Sequence, residues 1–184
     1  MFELQSGSNL ALDVIIERWE TPIKSFIYRF TQDQEWVDEL SQETFVKVYM
    51  NANRFDLDRK FSPWIYTIAS NLCRNLLRWK SRRPRIAQSI EDTLEHPERD
   101  QSVMEDAESQ NPGEVAVHEE DCSQIRQSIA ELPDHLRTSI ILYYYQGMSY
   151  GEIAEVLKCS VRGVETRLYR ARKILKQKIR LIPS

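Results

Sequence analysis

The side chains best suited to chemistry cluster near the end of the chain. Arg162, Glu165, Thr166, Tyr169, Arg170 and Lys173 fall broadly on one side of a helix at about 100° per residue, opposite Val164, Leu168, Ala171 and Leu175. Early residues on such a face can hydrogen-bond base edges in a major groove, and later cations can hold phosphates. A solvated basic helix side has the same pattern, so the segment ahead of it has to decide between them. A second face repeats the logic. Asn71, Arg74 and Arg78 lie opposite an apolar stripe, Trp64 projects nearer their side, and Lys80, Arg82, Arg83 and Arg85 carry the charge onward. Cations beside an aromatic ring suit nucleic acid, including unstacked single strands. The competing readings are a Trp64 that packs on its own bundle and arginines that are simply solvated. A third set differs in sign. Asp38, Gln42 and Phe45 share one side, flanked by Glu39 and Glu43. Acids there disfavour DNA, and the set suits either docking on a basic protein surface or plain solvation.

Covalent chemistry finds no comparable set. His96, His118 and His135 are isolated, and no HExxH, GxSxG, Walker or GxGxxG run occurs. Cys73, Cys122 and Cys159 stand far apart, which suits packing in a reducing compartment and argues against a disulfide framework or zinc site. No enzyme, metal or cofactor is expected. The first residues, Met1-Phe2-Glu3-Leu4-Gln5, lack the basic start and apolar run of a secretion signal, and no apolar run approaches membrane-span length. A cytoplasmic protein without membrane insertion is expected.

The elements that must position these faces read as helices throughout. With 5 glycines and 7 prolines in 184 residues, the chain has too little punctuation for a turn-rich β fold. Leu12, Ile15, Ile16, Trp19, Ile23, Phe26, Ile27 and Phe30 form one stripe, with a kink or break expected at Pro22. A second helix is predicted over about 35–53, with Val37, Leu40, Thr44, Phe45, Val48 and Tyr49 inward. After a loop over 54–60, Ser62 is predicted as N-cap and Pro63 as first residue of a helix reaching about Trp79, with Ile65, Ile68, Ala69, Leu72 and Leu76 on its core face. Further on, Ile125, Ile129 and Leu132 make a short stripe ending at Pro133, and Leu136, Ile140, Ile141 and Tyr144 make the next, ending near Gly147. Ser149 and Glu152 form a capping box for a short helix. Lys158-Cys159-Ser160 is the turn, and the basic helix follows from about Val161 to Ile179. Two helices joined by so short a turn, the second basic, make a helix-turn-helix.

Charge divides the chain in three. Residues 1–85 carry 13 basic and 11 acidic side chains, 86–121 carry Arg99 alone against 12 acids, and 122–184 carry 11 basic against 5 acidic. The net charge of −3 therefore conceals a basic C-terminal module. The acidic middle, with Pro97 and Pro112-Gly113 and few large apolar residues, reads as a flexible linker. The expected fold is all-α, with two small helical bundles over 1–85 and 122–184 joined by that linker.

Two blocks resemble the extracytoplasmic-function sigma factors of bacterial RNA polymerase. Asp38-Glu39-Leu40-Ser41-Gln42-Glu43-Thr44-Phe45-Val46-Lys47-Val48-Tyr49, followed by Phe61-Ser62-Pro63-Trp64-Ile65-Tyr66-Thr67-Ile68-Ala69-Ser70-Asn71, is similar to sigma region 2. Leu132-Pro133-Asp134-His135-Leu136-Arg137, continuing through Met148-Ser149-Tyr150-Gly151-Glu152-Ile153-Ala154 to Arg167-Leu168-Tyr169-Arg170-Ala171-Arg172, is similar to region 4. The resemblance implies that Asp38, Gln42, Glu43 and Phe45 dock on the β′ clamp helices. It implies that the loop with Phe55, Lys60 and Phe61, together with Trp64, Asn71, Arg74 and Arg78, takes the −10 element and captures a flipped base. It implies that Arg162, Glu165, Thr166, Tyr169, Arg170 and Lys173 meet the −35 element, with the β flap as a further contact and an anti-sigma protein as partner. Where the family usually carries Gly-Thr-Val followed by Lys or Arg, this chain has Arg162-Gly163-Val164-Glu165, and an acid there accepts from a cytosine amino group instead of contacting guanine. A stand-alone helix-turn-helix regulator is the alternative, and it explains only the second bundle.

Overall fold

The structure, a computed structural model, describes residues 1–82 and 124–180, and every regular element among them is helical. The N-terminal bundle comprises α1 (Phe2–Gln5), α2 (Asn9–Thr31), α3 (Glu35–Met50), a 3₁₀ turn at Ala52–Arg54, and α4 (Phe61–Arg82). The C-terminal bundle comprises α5 over 124–130, α6 (Asp134–Ile140) running into a π turn (Ile141–Tyr145), α7 (Tyr150–Leu157) and α8 (Val161–Arg180). The acidic segment read as a linker, with Cys122, His96 and His118, lies outside the described residues.

Helix α2 runs unbroken through Pro22. An interior proline opposes a helix by about 3 kcal/mol, but Ile23, Phe26, Ile27 and Phe30 beyond it are all fully buried. Each such burial is worth about 1.5–3 kcal/mol, so the continuous stripe wins. Helix α3 ends at Met50, not Asn53, and Tyr49 is exposed while Val37, Leu40, Thr44, Phe45 and Val48 go inward as expected. Helix α4 starts at Phe61, which moves Ser62 inside it and leaves Pro63 in the first turn, where its missing N–H removes no helical bond.

The two bundles pack directly on each other and share one continuous apolar core. For that reason α4 buries more than its predicted stripe: Tyr66, Ser70 and Cys73 also go inward, where α7 lies against α4. Burial pushes the Cys73 thiol up to about 12, so it is inert as a nucleophile. Helix α6 is enclosed, with every residue from Leu136 to Leu142 buried. The π turn, closed by Gln146 N–H donating to Ile141 O at 3.2 Å, shifts the register, so Leu142 is buried and Tyr144 exposed, against the predicted stripe. Gly147, at φ +62°, then reverses the chain in a conformation that favours glycine.

Around α7 the local signals hold. Ser149 Oγ accepts from Glu152 N–H at 3.3 Å, and Ser149 N–H donates to Glu152 Oε2 at 2.9 Å. Hydrogen bonds from Ser149, reinforced by Lys60, hold the Glu152 carboxyl at about 2, below its ordinary 4.5. A carboxylate lowered in the folded state stabilises the fold above its unfolded pKa and ceases to do so as pH falls through its folded one. Acid titration is therefore expected to remove this stabilisation between about pH 4.5 and 2. Glu152→Gln, which keeps the cap geometry, should show a shallower loss of melting temperature over that window, and identical pH profiles for the two proteins would refute the assignment.

Candidate nucleic-acid interface

Helix α8 presents the predicted reading face. Arg162, Glu165, Thr166, Tyr169, Arg170 and Lys173 are all exposed, while Val164, Leu168 and Ala171 are buried completely. Lys158 takes a left-handed conformation in the turn, and Ser160 Oγ caps α8 by accepting from Gly163 N–H at 3.1 Å. A Cβ added to Gly163 would lie 3.4–3.5 Å from Ser160 and Cys159, so the turn folds tightly against the helix start. Arg167 is drawn back to Cys159 Sγ at 3.0 Å and leaves the reading face. Arg172, one turn past Tyr169, has its Nε 2.8 Å from the Tyr144 hydroxyl and lies over the rings of Tyr143 and Tyr144. It is an exposed cation that the sequence reading did not single out, because its anchor is 28 residues away.

On the N-terminal bundle the aromatic and cationic parts are brought together unevenly. Asn71 and Arg78 are exposed, and Arg74 is half-buried, donating to Ser70 O at 3.1 Å and Asn71 Oδ1 at 2.6 Å. Trp64 lies 4.9 Å from Phe55 and 5.7 Å from Phe61, ring centre to ring centre. This cluster continues through Trp19, 5.4 Å from Phe61, into the core. Phe55, predicted as a DNA contact, is buried: the cluster that holds the loop takes its ring, so it supports the loop from beneath. Lys80 is bound to Asp33 and lies over Trp36, which withdraws it from the cationic run. Gln5 in α1 donates to both Ala52 O and Phe55 O at 2.8 Å, pinning the start of the loop. Sequence reasoning missed it, since no local pattern signals a bond across 47 residues.

Asp38, Gln42 and Phe45 of the predicted docking set line a groove of about 450 Å³ between α2 and α3, with Leu12, Ile16, Lys24 and Tyr49 among its other walls, whereas Glu43 lies outside it. Gln42 is exposed and Glu43 half-exposed. Phe45 is only 6% exposed, so it floors the groove instead of projecting from it. Asp38 accepts an ion pair from Lys24 at 2.9 Å, and Glu43 pairs with Lys47 at 3.2 Å. Among the described residues no group of histidine, cysteine and acids is arranged to hold a metal, and no helix is long and apolar enough to cross a membrane.

Comparison with known proteins gives these faces a setting. Residues 15–83 match the Sigma-70 region 2 family and residues 122–175 the Sigma-70, region 4 family. The chain is 33% identical to the RNA polymerase sigma-H factor of Pseudomonas aeruginosa, over 94% of this chain and 88% of that one. It is 32% identical to the ECF RNA polymerase sigma factor SigW of Bacillus subtilis, over 97% and 94%, and 32% identical to the ECF RNA polymerase sigma-E factor of Escherichia coli, over 96% and 90%. The fold is shared with CnrH, solved in complex with the cytosolic domain of CnrY, at TM-score 0.71 and 23% identity over 98% of this chain and 95% of that one. It is also shared with the sigma factor RpoE of Bartonella quintana, solved with the anti-sigma factor NepR, at TM-score 0.67 and 19% identity over 93% and 98%.

Proposed function

The chain belongs to the extracytoplasmic-function sigma factors of RNA polymerase, and from that membership we propose how its surfaces divide the work of starting transcription at an alternative set of promoters. The observation that carries the reading is α8, where six polar side chains face outward opposite the fully buried Val164, Leu168 and Ala171. Arg162, Glu165, Thr166, Tyr169 and Arg170 read the −35 element, with Lys173 on the phosphates. Lys60, Phe61, Trp64, Asn71, Arg74 and Arg78 hold the −10 element, with Phe55 supporting the loop from below. Separating the strands there costs a few kcal/mol per unstacked base, which contacts to the released base must offset. The groove over Phe45, edged by Asp38 and Gln42, seats on the β′ clamp helices together with Glu43 on the same helix, and the β flap supports the second bundle. The chain contributes no bond-making chemistry of its own, works in the cytoplasm, and is held in reserve by an anti-sigma protein, a partner class found with the sigma factor RpoE of Bartonella quintana, which is solved in complex with the anti-sigma factor NepR.

Run-off transcription tests this. Core polymerase alone should ignore a promoter selected by sequencing transcripts made with the chain present, and adding the chain should produce a discrete transcript. Duplex DNA should bind poorly without polymerase. Tight duplex binding by the chain alone, with no transcript, would instead favour the stand-alone regulator. A Gln42→Ala chain should associate with core polymerase roughly tenfold more weakly, the size of a moderate interface contact, yet melt like wild type because Gln42 is exposed. Unchanged core affinity would move the docking face elsewhere.

A further inference from the structure

Helix α1 has no part in the surfaces assigned so far, and it lies ahead of residues 15–83, the stretch matched to region 2. The fold nevertheless holds it in place. Gly7, at φ +91°, ends it in a backbone conformation that favours glycine. Two bonds close that turn: Gly7 N–H donates to Leu4 O at 3.1 Å, and Ser8 N–H to Glu3 O at 3.0 Å. The reversal lays α1 against α2 and the 3₁₀ turn, with Leu4 only 5% exposed.

This seating aims Gln5 at the −10 loop. Its side-chain amide donates to Ala52 O and to Phe55 O, each at 2.8 Å, and an amide NH₂ carries a donor for each. Phe55 O is where the chain leaves the core, since Asp56 to Lys60 are all exposed. Among the described residues no backbone N–H donates to that carbonyl, so Gln5 supplies the partner that secondary structure does not. On the other side, the Phe55 ring is buried against Phe61 and Trp64, at 5.9 and 4.9 Å. Backbone and ring of one residue are thus gripped separately. At the far end of the loop, Met1 and Glu3 share a groove of about 550 Å³ with Lys60, Phe61 and Ser62. Between the two ends Asp56 organises the turn, accepting from Asp58 N–H at 3.1 Å and from Arg59 N–H at 3.0 Å. The N-terminal segment therefore borders the loop at its entry and at its exit.

We infer that α1 is a brace for the −10 loop and that Gln5 is a positioning residue for base capture. The inference rests on the −10 reading given above. Gln5 is half-buried and bonds to backbone, so it acts through the loop and not on the strand. A loop pinned at its entry has less freedom to lose when a base enters, so more of the contact free energy is left to offset unstacking.

The test uses the full chain with core polymerase on a promoter selected as above, carrying 2-aminopurine at one −10 position at a time; its fluorescence rises when the base unstacks. Gln5→Met keeps the length of the side chain and loses both donors. It should open the duplex roughly tenfold more slowly, the scale of losing one or two part-buried hydrogen bonds. On the same promoter with its −10 strands mismatched in advance, at saturating holoenzyme, Gln5→Met and wild type should transcribe alike. Gln5→Lys, whose ammonium can donate to both carbonyls, should recover most of the lost rate. The ratio of duplex to mismatched activity is taken on one preparation, so any loss of folded chain cancels. A wild-type ratio for Gln5→Met would overturn the brace, and so would a Gln5→Lys ratio no better than that of Gln5→Met. A wild-type holoenzyme that transcribes yet brightens no −10 position sinks the −10 reading and the brace with it. Brightening whose rate Gln5→Met leaves unchanged sinks the brace alone.

Discussion

Arg137→Met is expected to lower the stability of the full chain by about 3 kcal/mol, measured as a drop in urea midpoint at unchanged slope. Arg137 is 8% exposed and meets no carboxylate of the described residues at bonding distance. Its fork donates to Phe30 O at 2.9 Å, to Leu132 O at 3.0 Å and to Ala130 O, and the guanidinium lies over the Phe30 ring. Phe30 sits at the end of α2, and Ala130 and Leu132 at and just past the end of α5. The buried cation is thus compensated by the negative ends of two helix dipoles and by carbonyls that those helix ends leave unpaired. Burial still pulls its pKa below the ordinary arginine value, so the compensation is incomplete, but a guanidinium stays charged. Methionine recovers the desolvation of the charge, yet it fills the space without donors and orphans two buried carbonyls, Phe30 O and Leu132 O, and the part-buried Ala130 O, at about 1–3 kcal/mol for each buried one. The orphaned acceptors outweigh the recovered charge. Arg137→Lys should restore less than half, because one ammonium cannot replace a planar fork bonding in two directions. A midpoint within error of wild type for Arg137→Met would show that water replaces the guanidinium, and the two-helix anchor would be wrong.

That anchor marks where sequence reading reached its limit. Helix α8 was legible because one narrow face is buried and the other is wet, so Val164, Leu168 and Ala171 fall at the expected spacing. The Ser149–Glu152 cap was legible because both partners lie within four residues. Helices α4 and α6 were only half legible, since Tyr66, Cys73, Thr138 and Leu142 lie in a core that the two bundles share, and nothing within a single helix announces that its packing continues beyond one stripe. Thr138 and Ser139 look like surface residues in sequence, but inside α6 each hydroxyl donates to the carbonyl four residues earlier, at 2.7 and 2.8 Å. The π turn defeats a fixed 100° step outright. At the candidate site the same division holds. The exposed reading residues and the inward turn of Phe45 were visible from their periodicity, whereas the burial of Phe55 was not, because its ring packs against Phe61 and Trp64, neighbours that the local pattern leaves unspecified.

Arg170→Ala tests the part that was visible. If Arg170 makes a bidentate contact with a base, its loss should weaken binding of the holoenzyme to its promoter by about 1–3 kcal/mol, or roughly 5- to 150-fold, and relax discrimination at one −35 position. Its side chain is exposed on α8, away from the apolar face, so melting should be unchanged. Lys173→Ala supplies the contrast. A phosphate contact carries no sequence information, so its loss should weaken all promoters alike and lower the salt dependence of binding by about one ion. Glu165 sharpens the comparison, since a carboxylate between Arg162 and Arg170 on the same face repels phosphate and accepts only from a base amino group. Glu165→Gln, which can donate as well as accept, should therefore change which base is preferred more than it changes affinity. The measurement is holoenzyme binding to a −35 library at two salt concentrations. Equal, sequence-blind losses for Arg170→Ala and Lys173→Ala would mean that α8 only grips the backbone, and that this chain finds its promoters through the −10 element alone.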